Sequence, residues 1–141
     1  MTASAAPSLE GKVAFVLEDD VNNLAIISSI LSRIGMTVYF DTWGKNTAVQ
    51  IKKFMPIDII LLDMMLPHGV SGYDVFDAIR ATPGLEDVPV VAVTAMDPGT
   101  EMTKARAKGF SGYISKPIRS RTLARAIAAI LNGQEVWGSV D

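Results

Sequence analysis

Short apolar runs and amphipathic segments alternate along this chain. Lys12–Leu17 holds the run Val13-Ala14-Phe15-Val16-Leu17 and reads as a buried strand. From Val21 to Ile34, the residues Leu24, Ile27, Leu31 and Ile34 fall near helical spacing, and Gly35 supplies a stop. Met36–Asp41 is β-rich, and Lys45–Phe54 is a weaker helix with Ala48, Val49, Ile51 and Phe54 as its apolar positions. Ile57–Leu62 is a third strand. Tyr73–Ala81 is a helix broken by Thr82-Pro83-Gly84, and Val88–Val93 is a fourth strand. Thr100–Lys108 is a helix ended by Gly109, and Gly112–Ser115 is a short fifth strand. Arg119–Leu131 is the last helix, with Leu123, Ile127, Ile130 and Leu131 on its apolar side and Gly133 after it.

Five βα units in succession predict an α/β fold: a parallel sheet covered by helices on both faces, because parallel strands need crossover connections. The near-continuous apolar strands agree, since both of their faces are then buried. In such doubly wound sheets ligands sit outside the C-terminal strand ends, where the strand order switches. We expect a leader at 1–11, one domain at 12–132 and a tail at 133–141. No repeat or second domain is visible.

Composition narrows the classes. With 141 residues, 49 % apolar and 20 % charged, the chain suits one globular core. It has no cysteine, which excludes disulfides and thiolate metal sites and fits a reducing compartment. Met1 to Glu10 is Ala/Ser/Pro-rich without a basic start, so it is not read as a signal peptide. No apolar run reaches the ~20 residues of a membrane helix. A net charge of −2 does not suggest bulk nucleic-acid binding. The charge is uneven, however. Residues 1–100 carry six Lys/Arg against twelve Asp/Glu, and residues 101–141 carry seven against three. The basic end is either a solvated face or a partner surface.

The chemistry collects at strand ends. Asp63 follows Ile59-Ile60-Leu61-Leu62, Glu18-Asp19-Asp20 follows the first strand, Thr94 follows Val93, and Lys116 ends Tyr113-Ile114-Ser115-Lys116. Three carboxylates in one crevice repel and raise one another's pKa values unless a cation intervenes. Mg²⁺ suits hard oxygen ligands and phosphate, with Mn²⁺ as the alternative ion. Alone, Glu18-Asp19-Asp20 reads equally as a helix start favoured by the dipole. Asp63 as a nucleophile would form an acyl phosphate, with the metal and Lys116 neutralising the transferring group. Thr94 would donate a hydroxyl to a phosphoryl oxygen or cap the following turn. Pro117 allows a cis Lys-Pro bond that directs the lysine.

Four motifs in order carry a family resemblance: Val16-Leu17-Glu18-Asp19-Asp20, Ile60-Leu61-Leu62-Asp63-Met64-Met65-Leu66-Pro67, Val93-Thr94-Ala95 and Tyr113-Ile114-Ser115-Lys116-Pro117. The chain resembles a response-regulator receiver domain of the CheY-like family from about Lys12 to Asn132. The resemblance implies a (βα)5 sheet of order 2-1-3-4-5. It implies that Asp63 accepts a phosphoryl group from a histidine kinase or a histidine phosphotransfer protein. Glu18, Asp19, Asp63 and the backbone carbonyl of Met65 would hold Mg²⁺, Lys116 and Thr94 would contact the phosphoryl group, and Thr94 with Tyr113 would form the switch. The protein would be a cytoplasmic phosphoacceptor, not an enzyme acting on other substrates.

The loop from Asp63 to Gly72 is one residue longer than usual for the family, through Pro67-His68-Gly69-Val70-Ser71, and we read His68 as exposed. Met65 and Met96, two positions beyond Asp63 and Thr94, suggest exclusion of water and a long-lived phosphoryl state.

Only nine residues follow Asn132, so the expectation is a stand-alone regulator, with a receiver from a larger hybrid kinase as the near alternative. A phosphorylation-independent receiver-like interaction domain is the further alternative. The fourth helix, fifth strand and fifth helix carry Lys104, Arg106, Lys108, Arg119, Arg121 and Arg125. With Phe110 and Tyr113 they would meet an acidic or apolar downstream protein. Val21, Asn22, Asn23 and Leu24 resemble the face that receives the kinase. Trp137 either packs on the body or stays loose. No direct nucleic-acid or membrane contact is expected. A haloacid-dehalogenase-like hydrolase is disfavoured because Met65 stands where it needs a second acid, and a flavodoxin-like site because three acids would repel a flavin phosphate.

Overall fold

Val13 and Asp58 open the sheet with a reciprocal lock. The Val13 N–H donates to Asp58 Oδ2 at 2.8 Å, and the Asp58 N–H donates to the Val13 carbonyl at 2.9 Å. The structure, a computed structural model, describes residues 9–42 and 45–137. Most of the expected leader and the last four residues of the expected tail lie outside the described residues. The elements are β1 (Val13–Leu17), α1 (Val21–Arg33), β2 (Thr37–Asp41), α2 (Thr47–Lys52), β3 (Ile59–Leu62), α3 (Gly72–Arg80), β4 (Val90–Thr94), α4 (Pro98–Lys108), β5 (Gly112–Ser115) and α5 (Ser120–Leu131). All strand pairs are parallel, in the order β2-β1-β3-β4-β5, as expected.

Alternate residues of each strand enter opposite layers, the two-residue period of a pleated strand. Ala14, Val16, Ile59, Leu61, Val91 and Val93 pack with α1 and α5. Phe15, Leu17, Ile60, Leu62, Val90 and Ala92 pack with α2, α3 and α4. β3 and β4 are buried throughout, which explains their unbroken apolar runs.

Element ends differ from expectation by one or two residues. β4 starts at Val90 because Pro89 has no N–H to give and only accepts, from the Ile60 N–H. α4 starts earlier, at Pro98, where the missing N–H is harmless, and Asp97 caps it by accepting the Gly99 N–H at 3.1 Å. α2 is the weakest helix, as its pattern suggested. Its cap Asn46 is left-handed with no side-chain cap bond, and Lys53 and Phe54 close it with bonds to Gln50 and Ile51 carbonyls. Pro67–Gly69 adds a short 3-10 turn after β3, with His68 exposed and left-handed at φ 61. The Lys116-Pro117 bond is cis.

Candidate functional site

β1, β3 and β5 deliver the residues that follow them, and β4 its last residue Thr94, to the C-terminal edge of the sheet. Asp63 follows β3 and is 4 % exposed. Its N–H is fixed to the Leu17 carbonyl, and its Oδ1 accepts the Met65 N–H at 3.0 Å. Glu18 follows β1, is 1 % exposed, and its Oε2 accepts the Asp20 N–H at 3.1 Å. Asp19 is exposed and, among the described residues, makes no hydrogen bond or ion pair. One oxygen from each of Glu18, Asp19 and Asp63 lies within 4.8 Å of the others.

Lys116 completes the cleft from the far side. Its backbone N–H donates to the Thr94 carbonyl at 3.0 Å, which aims the side chain back across β4. Its Nζ donates to Asp63 Oδ2 at 3.1 Å and forms an ion pair with Glu18 Oε1 at 2.7 Å. Burial pushes the Glu18 carboxyl up to about 7, the Asp63 charge adds to the rise, and hydrogen bonds from Lys116 and the Asp20 N–H oppose it. Burial alone would lower the Lys116 ammonium, but the hydrogen bond to Glu18 and the Asp63 charge outweigh it and the group is raised. The lysine therefore stays charged between the two carboxylates.

The acidic run divides its work. Asp20 is the α1 cap, accepting the Asn23 N–H at 2.9 Å, while Glu18 and Asp19 turn to the cleft. Asp20 takes the helix-start role, and the carboxylates of Glu18 and Asp19 lie together with that of Asp63. The donor set is all oxygen, and Glu18 Oε1 is buried with the Lys116 ammonium at 2.7 Å as its one close partner among the described residues. These residues fit a hard divalent cation. The Met65 side chain is 61 % exposed at the rim.

Thr94 is fully buried, and its Oγ1 accepts the Met96 N–H at 3.3 Å. Tyr113 is 2 % exposed, and its hydroxyl donates to the Met96 carbonyl at 2.7 Å. The expected switch pair thus holds both sides of one peptide-bearing residue in the β4–α4 loop. Burial first, then the charges of Glu101 and Asp97, push the Tyr113 hydroxyl up to about 12.

Sequence reasoning missed Glu101. It is nearly buried and accepts the Tyr73 hydroxyl at 2.7 Å, tying α3 to α4. The signal available was a lone acid on the inward side of the fourth helix. The expected use of Phe110 and Tyr113 as surface aromatics is corrected. Phe110 is 3 % exposed and stacks on Phe76 at 4.3 Å, because the core needs both rings. The six basic residues named with them are exposed. On α1, Val21 is 70 % exposed but Leu24 is buried in the α1/α5 layer, and Ile26 takes its place outside at 44 %.

The response regulator receiver domain family matches residues 14–128 of this chain. The chain belongs to that family. Receiver domains are phosphoacceptor signalling domains of two-component systems, not classical enzymes, and they interact with histidine kinases or phosphotransfer proteins and with downstream effectors.

This receiver is 32 % identical over 117 residues to the signal transduction histidine-protein kinase BarA of Escherichia coli (strain K12), covering 81 % of this chain and 12 % of that protein. It is 28 % identical over 116 residues to the chemotaxis protein CheY of Pseudomonas aeruginosa, covering 82 % of this chain and 93 % of CheY. The Vibrio cholerae chemotaxis protein CheY4 has the same fold, with a TM-score of 0.76, 20 % identity, and 83 % and 96 % of the two chains covered. The receiver domain of the sensor histidine kinase PA1611 from Pseudomonas aeruginosa PAO1 has a TM-score of 0.72 at 28 % identity, covering 87 % and 96 %. Its crystal structure has a magnesium ion coordinated in the active site cleft. Among the described residues of this receiver no helix is long and apolar enough to cross a membrane.

Proposed function

We propose that Asp63 is the phosphoacceptor of this receiver and that its phosphoryl group comes from a phosphohistidine on a histidine kinase or a histidine phosphotransfer protein. The carboxylate oxygen of Asp63 attacks phosphorus as the P–N bond to the donor imidazole breaks. A P–O bond forms, giving an acyl phosphate, and the imidazole nitrogen takes up a proton. Glu18, Asp19, Asp63 and the Met65 carbonyl would hold Mg²⁺, whose charge offsets that of the transferred group. Lys116 remains protonated and moves its hydrogen bond from Asp63 to a phosphoryl oxygen. Thr94 donates its hydroxyl to another, giving up the bond from the Met96 N–H. That exchange alters the Met96 peptide that Tyr113 also holds, and so carries the charge change at Asp63 toward α4 and β5.

One observation carries this reading: Asp63 is buried at a strand end, yet it faces Lys116 at 3.1 Å and lies within 4.8 Å of two further carboxylates. A structural ion pair needs one acid for Lys116, whereas here the lysine meets two and the carboxylate of Asp19 stands within 4.8 Å of both. The kinase-docking surface is read as the α1 face with Val21 and Ile26, and the output surface as α4–β5–α5, in a cytoplasmic setting. Transfer from a phosphorylated histidine phosphotransfer domain to this chain, lost in Asp63→Asn, tests the proposal. Undiminished transfer to the variant would overturn it.

A further inference from the structure

The segment after α5 closes the outer edge of the sheet. Val136 forms a parallel bridge to Gly112. Its N–H donates to the Ser111 carbonyl at 3.1 Å, and its carbonyl accepts the Tyr113 N–H at 2.9 Å. Val136 is 7 % exposed in the α1/α5 layer, while Trp137 packs against the α2–α4 layer. This alternation is that of a strand.

The edge is shaped for that approach. A Cβ on Gly112 would stand 2.7 Å from the Val136 carbonyl oxygen and 3.1 Å from Ile130 Cδ1. Gly112 has no positive φ, so glycine serves close approach there and not a turn. Beside the edge, a groove of about 590 Å³ lies between Trp137 and the Pro98, Met102 and Arg106 positions of α4. Arg106 reads the segment twice: its guanidinium carbon is 5.2 Å from the Trp137 ring centroid, and its Nε is 3.7 Å from Glu135 Oε1. Trp137 Nε1 donates to the same carboxylate oxygen at 2.7 Å.

The polar contacts of the segment are individually weak beside its buried Val136 side chain. The Arg106–Glu135 pair has side chains 63 % and 59 % exposed, and exposed pairs contribute little. Two backbone bonds are opposed by the entropy of ordering the residues that make them.

We propose that the β5 edge, flanked by the α4 groove, is a strand-addition site for an extended segment of a partner protein carrying an acidic, a β-branched and an aromatic residue in succession, and that Glu135-Val136-Trp137 occupies that edge in cis as an exchangeable competitor. Backbone pairing at a sheet edge supplies affinity, and pockets for alternate side chains supply selectivity. The cis segment shows which side chains the pockets accept, and exposed Arg106 and Lys104 favour an acidic partner. The site needs no phosphoryl group, so it stands or falls separately from the role of Asp63.

The test uses the full chain and a fluorophore-labelled peptide of residues 134–141, followed by anisotropy. The Glu135→Ala/Trp137→Ala chain, whose own segment competes poorly, is expected to bind the peptide at least about tenfold tighter than wild type, because a site mostly filled in cis lowers apparent affinity by its free fraction. Adding Arg106→Glu, an exposed change, is expected to weaken that binding about tenfold. No binding to the double variant, equal binding to both chains, or indifference to Arg106→Glu would each overturn the proposal. In unlabelled wild type, the Val136 and Tyr113 amides are expected to exchange with solvent faster than that of Val91. Protection equal to that of Val91 would mark the segment as a fixed part of the sheet and overturn its exchange.

Discussion

Lys116 Nζ stands 3.1 Å from Asp63 Oδ2, and the same ammonium reaches Glu18 Oε1 at 2.7 Å. One cation thus holds together two carboxylates whose side chains are 5 % and 1 % exposed. The arrangement is stable only while that charge, or a substitute for it, is present.

Lys116→Met is accordingly expected to cost roughly 3 kcal/mol, since breaking a buried pair strands the remaining charge. Urea denaturation at neutral pH checks this. Mg²⁺ should restore part of the loss, because a cation at the three carboxylates replaces the missing charge. A variant as stable as wild type without metal would show that the pair is not the local support.

Mg²⁺ should also stabilise the wild-type chain by linkage, by about 2.7 kcal/mol at a hundredfold excess over its dissociation constant. Asp19→Asn should remove most of that gain. Asp19 is exposed and faces only the other two carboxylates, so the substitution itself should leave metal-free stability unchanged or slightly raised by relieving repulsion. Thermal unfolding with and without Mg²⁺ reads both effects, and an equal shift in the variant would remove Asp19 from the ligand set.

Alkaline pH bears on the Tyr113–Met96 contact. The Tyr113 hydroxyl is raised from an ordinary 10.0 to about 12 in the folded chain, so the folded state binds the proton more tightly than the unfolded one. The resulting stability is fully present below pH 10.0 and is lost as pH rises through about 12. Tyr113→Phe should flatten part of this alkaline loss and cost about 1 kcal/mol near neutrality for the hydrogen bond to the Met96 carbonyl. Melting temperatures across that range decide it. An unchanged alkaline slope in the variant would assign the loss to other groups.

The fold was legible because strand and helix periods alternate cleanly and β3 and β4 are apolar throughout. Glu18, Asp19, Asp63, Thr94 and Lys116 were legible as a set because each lies at or just beyond the C-terminal end of a strand, and parallel strands bring those ends together. Glu101 and the buried state of Phe110 were not, because they depend on how α3 and α4 face each other, which periodicity does not encode. Trp137 was left open between packed and loose. Its seat depends on Gly112 admitting the Val136 carbonyl, a contact between segments joined only through α5.

Met65 stands exposed at the cleft rim, and Met96 is half-buried beside Tyr113. Apolar groups there should slow water reaching the acyl phosphate. Met65→Asn, which can hydrogen-bond a water, should shorten the phosphoryl lifetime about tenfold, or ~1.4 kcal/mol in the barrier. The decay of purified phosphoprotein measures it. A wild-type half-life of seconds, or no change in the variant, would contradict the role.

The central claim is that Asp63 takes the phosphoryl group with help from a divalent cation. Intact-protein mass after incubation with acetyl phosphate tests it most directly, for wild type and Asp63→Asn, each with and without Mg²⁺. The expected result is a single gain of ~80 Da, the mass of one phosphoryl group, in wild type with Mg²⁺ alone. The same gain in Asp63→Asn, or no gain in any sample even from a phosphohistidine donor, would contradict the account.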